Sequence, residues 1–367
     1  MDDRFILFGL HEINGIGPKS IQNIVNQVPK LQELLTFHSL QTNSPGHTPY
    51  GLPFSLIQLI KENLSEQFIN NRMDACRTAG VDFVTVIDDH YPESLKQSSQ
   101  PPWVLYYKGN YNLLSNPLIA MVGTRTPTVY GKKVAEMLSN QLSQYGICVV
   151  SGMARGIDSE CHKGAIQGLG STIAVVGSGI DIVYPPENAS LSRAIADKGL
   201  ILSEYPLGTK AHPGLFPMRN RIIAGLCMGT VVVEAAVKSG SLITADQCLD
   251  ESRDLFAVPG PITSPKSVGA ISLLKKGAKL VTCAEDIVEE YKQRLMLEHI
   301  NVSTAKPNYK LSRDELFILD FISYEPVTFD TLLEKSKFYF GHLHSVLLSL
   351  ILKNKIEQLP GSSYIAI

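Results

Sequence analysis

Ile147-Cys148-Val149-Val150-Ser151-Gly152-Met153-Ala154-Arg155-Gly156-Ile157-Asp158 reads as a buried strand, a loop of small residues and the start of a helix in direct succession. The run Ile147–Val150 is apolar without interruption, as a strand covered on both faces requires; a half-exposed strand would alternate. The same order of events precedes it, where Leu118–Val122 runs into Gly123-Thr124-Arg125-Thr126, and follows it, where Thr172–Val176 runs into Gly177-Ser178-Gly179-Ile180-Asp181. Amphipathic stretches at 129–144, 156–168 and 188–198 separate these runs, and strands at Leu200–Leu202, Thr230–Val233 and Leu255–Val258, with a helix at 241–252, continue the alternation. Alternating strands and helices with fully apolar strands predict an α/β fold, a doubly wound parallel sheet with helices on both faces.

Outward from this centre, residues 1–80 read as short helices, with apolar positions at helical spacing in Ile21-Ile24-Val25-Val28 and Leu56-Leu59-Ile60-Leu64 around a polar loop from Thr42 to Pro53. Val81–Ile87 and Trp103–Tyr107 are extended segments leading into the sheet domain, expected over 81–290. A charged stretch ending near Pro307 predicts a linker over 291–309. The remainder, 310–367, shows helical patterns at 312–323, 328–335 and 341–353, then a hairpin of Lys355–Leu359 and Tyr364–Ile367, the outline of a winged helix.

The 367 residues are 44% hydrophobic and 19% charged, with a formal net charge of −2. This composition excludes a disordered or fibrous chain and allows more than one core. A near-neutral total also excludes a global positive field, so a polyanion must be held by a local cluster. Residues 116–284 carry sixteen Lys/Arg against twelve Asp/Glu, whereas 310–367 carry six against seven. The last unit therefore lacks the basic surface of a DNA reader, and a protein-contact or structural role is expected for it. Cys76, Cys148, Cys161, Cys227, Cys248 and Cys283 lie far apart with no C-x-x-C pair, as in a reducing compartment. Met1-Asp2-Asp3-Arg4 begins no signal peptide, and no apolar run reaches the roughly 18 residues of a membrane span. A soluble, cytoplasmic protein without membrane contact is expected.

Doubly wound sheets gather ligands at the carboxyl ends of their strands. Small-residue loops fall there at Gly123-Thr124-Arg125, at Ser151-Gly152 with Arg155, at Gly177-Ser178, and at Gly240-Ser241 with Thr244. Amides without a neighbouring Cβ at helix starts suit phosphate oxygens. Any one loop taken alone reads as a tight turn; their repetition along one edge points to a phosphate-binding floor. Neither G-x-G-x-x-G nor G-x-x-x-x-G-K-[ST] occurs, so no nucleotide cofactor is expected.

Phe216-Pro217-Met218-Arg219-Asn220-Arg221 adds guanidinium forks, an amide and a ring on which a base can stack. The same letters fit a second reading, in which Arg219 and Arg221 pair with Glu204 or Glu234 and Phe216 lies in the core. With Arg125, Arg155, Tyr184 and Tyr205, the segment offers the basic groove and rings that single-stranded nucleic acid needs. Ile13-Asn14-Gly15-Ile16-Gly17-Pro18-Lys19-Ser20 fits either a helix-hairpin-helix grip on a nucleic-acid backbone or a plain helix-connecting turn. Catalytic constellations are thin. Asp158 and His162, at i and i+4, suit loop orientation better than bond cleavage, no G-x-S-x-G elbow is present, and Glu234 is the best candidate acid or base. His342 and His344 lack a third ligand, so no metal is expected.

Gly123-Thr124-Arg125 with Tyr130-Gly131, the stretches Ser151–Asp158, Phe216–Leu226 and Ser239–Ala245, and Ala257-Val258-Pro259-Gly260 appear in one order that resembles the DprA/Smf family of bacterial DNA-processing proteins. Tyr91-Pro92 and Pro101-Pro102-Trp103 fit upstream, while Cys161 stands where the family commonly has alanine. The resemblance implies an extended Rossmann-like domain flanked by an N-terminal SAM-like helical domain and a C-terminal winged helix. It further implies a non-enzymatic recombination mediator, a homodimer that binds and protects incoming single-stranded DNA and helps load a RecA-type recombinase during natural transformation. Carried to this chain, the contacts fall on Gly123, Thr124 and Arg125 and on Phe216, Arg219, Asn220 and Arg221. Ser151, Gly152, Arg155, Gly177, Ser178, Gly240 and Ser241 complete the expected site. The competing expectation is an enzyme similar to Rossmann-like nucleotide phosphoribohydrolases, on the strength of Gly229-Thr230 before Glu234. The paired-glycine loop of those enzymes is missing, because the chain reads Ala224-Gly225-Leu226-Cys227-Met228.

Overall fold

The strands form where apolar and β-branched residues run together, and the helices where apolar positions return every three or four residues. A computed structural model describes residues 1–39, 49–295, 311–323, 326–353, 355–359 and 361–366. It divides into two compact units, Met1–Asn301 and Val302–Ile367.

The first unit opens with helices α1 (Asp3–Glu12), α2 (Pro18–Gln27), α3 (Phe54–Asn63) and α4 (Glu66–Thr78). Then come β1 (Asp82–Thr85), α5 (Glu93–Lys96), β2 (Val104–Gly109), β3 (Leu118–Val122), α6 (Val129–Gln144), β4 (Cys148–Ser151), α7 (Ile157–Ala165), β5 (Thr172–Val176), α8 (Ala189–Lys198) and β6 (Leu200–Ser203). The chain continues through α9 (Leu215–Leu226), β7 (Gly229–Val232), α10 (Gly240–Asp250), β8 (Asp254–Ala257), α11 (Val268–Lys275), β9 (Lys279–Leu280) and α12 (Glu285–Leu295).

Among the described residues one sheet runs β1-β2-β6-β5-β4-β3-β7-β8-β9. From β6 to β9 every pairing is parallel; β2 joins β6, and β1 joins β2, antiparallel. The two extended segments ahead of the sheet domain thus become its edge. The central strand β3 pairs β4 on one side, with Ala120 opposite Val150, and β7 on the other, with Ala120 opposite Thr230. The chain winds outward through β4, β5 and β6 and then returns to start again at β7. That reversal leaves a crevice at the carboxyl ends of β3 and β7, the switch point where doubly wound folds place ligands.

Both faces of the sheet are covered. Ile119, Met121 and Val149 pack with Leu138, Leu142, Ile157 and Tyr291 on one side, while Ala120, Val150 and Ile173 pack with Ile222, Ile223 and Leu226 on the other. Alternate residues of each strand feed opposite cores, which is why the strands carry no polar face.

A third core continues from Ile6, Leu7, Phe8 and Leu10 of α1 into Val104 and Tyr106 of β2 and Val176 of β5, across the boundary expected near residue 80. A buried polar knot reinforces this junction. The Tyr106 hydroxyl donates to Glu12, Arg72 Nε donates to the same carboxylate at 2.6 Å, and His11 Nδ1 lies 3.2 Å from that hydroxyl. Burial holds His11 down to about 4, so its imidazole is neutral at physiological pH. The start of α2 meets Trp103, whose indole donates to Pro18 O at 3.1 Å. Residues 40–48, most of the loop expected at 42–53, lie outside the described residues. So do residues 296–309 of the expected linker, into which α12 extends as far as Leu295.

The second unit contains α13 (Arg313–Leu319), β10 (Val327–Thr328), α14 (Phe329–Ser336), α15 (Phe340–Leu352), β11 (Ile356–Leu359) and β12 (Ser363–Ala366), with the strands in the order β10-β12-β11. Ser312 and Glu315 form a capping box on α13. Glu315, 3% exposed, also accepts from Ser349 at 2.6 Å and from Lys353 at 2.6 and 2.7 Å, which ties α13 to the end of α15.

Candidate nucleic-acid interface

The loop after β3 is anchored to the end of β7. Thr124 N donates to Glu234 O at 2.7 Å, and the Glu234 carboxylate accepts from Thr128 N at 2.9 Å and from the Thr128 hydroxyl. That hydroxyl in turn accepts from Gly131 N at 3.0 Å and caps α6. Glu234 is 2% exposed, and both its oxygens face Thr128. The expectation that it is an acid or base is therefore corrected: its carboxylate fastens a loop.

The loop after β4 is organised from below by Asp158 and His162. Asp158 accepts from Gly152 N at 3.2 Å and Ala154 N at 3.4 Å, and Met153 N points at His162 Nε2 from 3.3 Å. His162 Nδ1 lies 2.7 Å from the Thr172 hydroxyl, which donates to Val149 O. Because Thr172 gives its proton away, His162 must carry its own on Nδ1, leaving Nε2 to accept. Burial first, and the nearby Arg219 second, hold the imidazole down to about 3, so it stays neutral. The pair orients a loop, as its spacing suggested. The Gly152 amide, expected to face a phosphate oxygen, is turned inward to Asp158. A Cβ at Gly152 would stand 2.4 Å from Arg219 Nη1, so this position requires glycine to admit the arginine.

Phe216–Arg221 lies on the first turns of α9, which starts at Leu215. Two residues of helix turn side chains by about 200°, so Arg219 and Arg221 leave on nearly opposite sides. Arg219 is 4% exposed, and its Nη1 donates to the carbonyls of Gly152 and Val175 while its Nε donates to Asn220 Oδ1 at 3.1 Å. Burial lowers its pKa to about 10, which still leaves it charged at neutral pH. Arg221 pairs with Glu204 and donates to Gln100 O. The expectation that both guanidinium groups take phosphates directly is corrected, because backbone carbonyls and Glu204 already occupy them. For Arg221 the alternative reading, an internal pair with Glu204, is the one observed.

What opens to solvent is a cleft of about 530 Å³ at the switch point, walled by Gly123, Thr124 and Arg125 on one side and by Lys238, Ser239 and Gly240 on the other. It leads to a smaller recess of about 60 Å³ lined by Gly152, Arg155, Gly177, Ser178, Tyr184 and Arg219. Phe216 forms the wall between them, with the Arg125 guanidinium 5.6 Å from its ring centroid and Tyr184 stacked on it at 5.5 Å and 27°. Gly177 makes room for that ring, since a Cβ there would sit 2.9 Å from Phe216 Cδ1. Tyr184 is 48% exposed and presents a stacking face.

The cleft and recess bring together every expected site residue except Ser151 and Arg221. Ser151 is buried, and its hydroxyl donates to Met121 O at 2.7 Å. Ser178 and Ser241 line the walls while bonding internally, to Ile182 O and to the Ser239 hydroxyl. Arg155 is exposed and pairs with Glu187. Sequence reasoning passed over Lys238, one residue before the serine that caps α10; the loop after an apolar strand was the available signal. Among the described residues no group of three or more His, Cys, Asp or Glu could hold a metal ion, and no helix is long and apolar enough to cross a membrane.

The family model for DNA recombination-mediator protein A matches residues 82–292, and that for the DprA winged helix domain matches residues 302–362. The DNA processing protein DprA of Bacillus subtilis is 43% identical over 237 residues, covering 64% of this chain and 80% of its own. Protein Smf of Synechocystis is 34% identical over 315 residues, 77% and 79% of the two chains. The X-ray structure of DNA processing protein A from Streptococcus pneumoniae superposes with a TM-score of 0.67 at 34% identity, covering 78% of this chain and 97% of that one. The Helicobacter pylori protein, whose structure was described for its single-stranded DNA binding mode, superposes with a TM-score of 0.53 at 30% identity over 58% of this chain and 97% of its own.

Proposed function

The chain belongs to the DNA recombination-mediator protein A family, and from that premise we propose that it binds single-stranded DNA in the cleft at the switch point. In this reading it shields the strand and passes it to a RecA-type recombinase during natural transformation, acting in the cytoplasm as a homodimer and without bond-making chemistry of its own. One observation carries the proposal: Arg125 and Lys238 line the open cleft and Arg155 the recess beside it, with the stacked Phe216–Tyr184 pair lining both. Cations along a groove track phosphates, and rings stack on bases whatever their identity, which is the chemistry of sequence-tolerant single-strand binding. Arg219 contributes from beneath, as a fixed charge under the recess. The solved Helicobacter pylori relative, described for its single-stranded DNA binding mode, supports the same assignment.

Titration of labelled single- and double-stranded oligonucleotides at several salt concentrations tests this. We expect a clear single-strand preference and an affinity that falls by about 0.7 log units per log unit of salt for each phosphate held. Equal affinity for duplex, or a flat salt response, removes the cleft from the role. The phosphoribohydrolase reading requires Glu234 to reach a ligand, and its carboxylate is closed off by Thr128; free base appearing from a panel of nucleotides would restore it.

A further inference from the structure

Arg155 faces solvent on the loop after β4, beside the recess, and its Nε is held by Glu187 Oε1. Glu187 belongs to the short turn Pro186–Asn188 ahead of α8. That turn is fastened to the arginine's own loop by Asn188, which is buried and donates to Met153 O at 2.8 Å and to the Ser159 hydroxyl at 2.9 Å. The carboxylate is therefore positioned, not incidental: a buried amide places an exposed acid against an exposed base at the mouth of an otherwise basic site. The two side chains keep 63% and 49% of their surface in water. Exposed ion pairs of this kind separate at little cost, so the contact yields to a better anion.

Resting on the reading above, we propose that Glu187 is a built-in competitor for phosphate: its carboxylate occupies Arg155 in the free protein and is displaced when a single strand enters. A phosphate meeting a free guanidinium releases its counterion, which is what makes affinity depend on salt. At Arg155 the phosphate also ejects a carboxylate, which takes up a cation as it enters water. The exchange mutes both the affinity and the salt response of that one contact.

The test is a cycle of Arg155→Ala, Glu187→Gln and the double variant in the full chain, titrated with a fluorescent oligothymidylate at several salt concentrations. Glu187→Gln should tighten binding about three- to fivefold and steepen the salt slope by a fraction of the roughly 0.7 that one phosphate contributes. In the Arg155→Ala background the same change should do nothing, because Glu187 acts through Arg155 alone. If Glu187→Gln leaves affinity and slope unchanged while Arg155→Ala weakens binding, the competitor idea fails and the binding site stands. A gain of equal size in both backgrounds also overturns it, since that is long-range charge without exchange. If the unaltered protein does not hold the oligonucleotide, the binding reading itself falls.

Discussion

The crevice at the carboxyl edge of the sheet and the winged-helix unit are both architectures associated with nucleic acid, yet they present opposite chemistry. The crevice turns Arg125 and Lys238 outward around a stacked aromatic pair, with Arg155 exposed beside them and paired to Glu187. In the winged helix, α15 contains no lysine or arginine, and it exposes Phe340 and Leu348 instead. Lys353, just beyond its end, is turned onto Glu315. A phosphate backbone responds to cations free to meet it, whatever the surrounding fold, so on our reading the crevice holds the strand and the winged helix serves protein contact or structure.

The largest effect should come from a residue that lines the crevice from beneath, with its guanidinium spent on backbone carbonyls. Arg219→Ala leaves the carbonyls of Gly152 and Val175 without the buried guanidinium that donates to them and takes a nearby positive charge from the buried Asp158, and urea denaturation should show a loss of about 3–5 kcal/mol. A variant that keeps full stability and loses only DNA affinity would return Arg219 to the contact surface. Next in size, Arg125→Ala and Lys238→Ala should each weaken single-strand binding by about 1–2 kcal/mol and reduce the salt slope by about 0.7. Both residues are exposed, so stability should move by no more than about 0.5 kcal/mol. Binding that survives the pair would erase the contrast between the two regions.

The smallest effect belongs to the winged helix and is read by pH. Burial pushes the Glu315 carboxyl up, but hydrogen bonds from Lys353, Ser349 and Ser312 N outweigh it and hold it at about 2, against an ordinary 4.5. Because the folded value is the lower one, the stabilisation is complete above pH 4.5 and drains away as pH falls towards 2. Calorimetry of the full chain should show the C-terminal unit's transition weakening over that window, and Glu315→Gln should flatten the dependence at a cost of about 1–2 kcal/mol near neutrality. Single-strand affinity at pH 7 should be unmoved. A matching loss of affinity would mean that the winged helix shares in holding the strand.

Much of the fold was legible because its signals are local. Leu118–Val122, Ile147–Val150 and Thr172–Val176 are apolar throughout, and each runs into a small-residue loop, so strand, loop and helix are written side by side. The antiparallel edge was not legible, since nothing in Val81–Ile87 or Trp103–Tyr107 names the partner strand. The expected site was legible as a set of loops that the strand ends bring together. Lys238 escaped although it follows an apolar strand, because that position alone does not say which loop residues reach the rim.

By itself the sequence determined the alternating layers, the winged-helix outline and the edge of the sheet at which loops of glycine and arginine collect, because periodicity and turn chemistry act within a few residues. Only the tertiary structure decided which arginines remain available. Arg219 meets Gly152 and Val175, Arg221 meets Glu204 and Gln100, and Arg155 meets Glu187, each across a long span of chain. A guanidinium group binds whichever carboxylate or carbonyl the fold delivers first, and that delivery is a property of the whole packed chain.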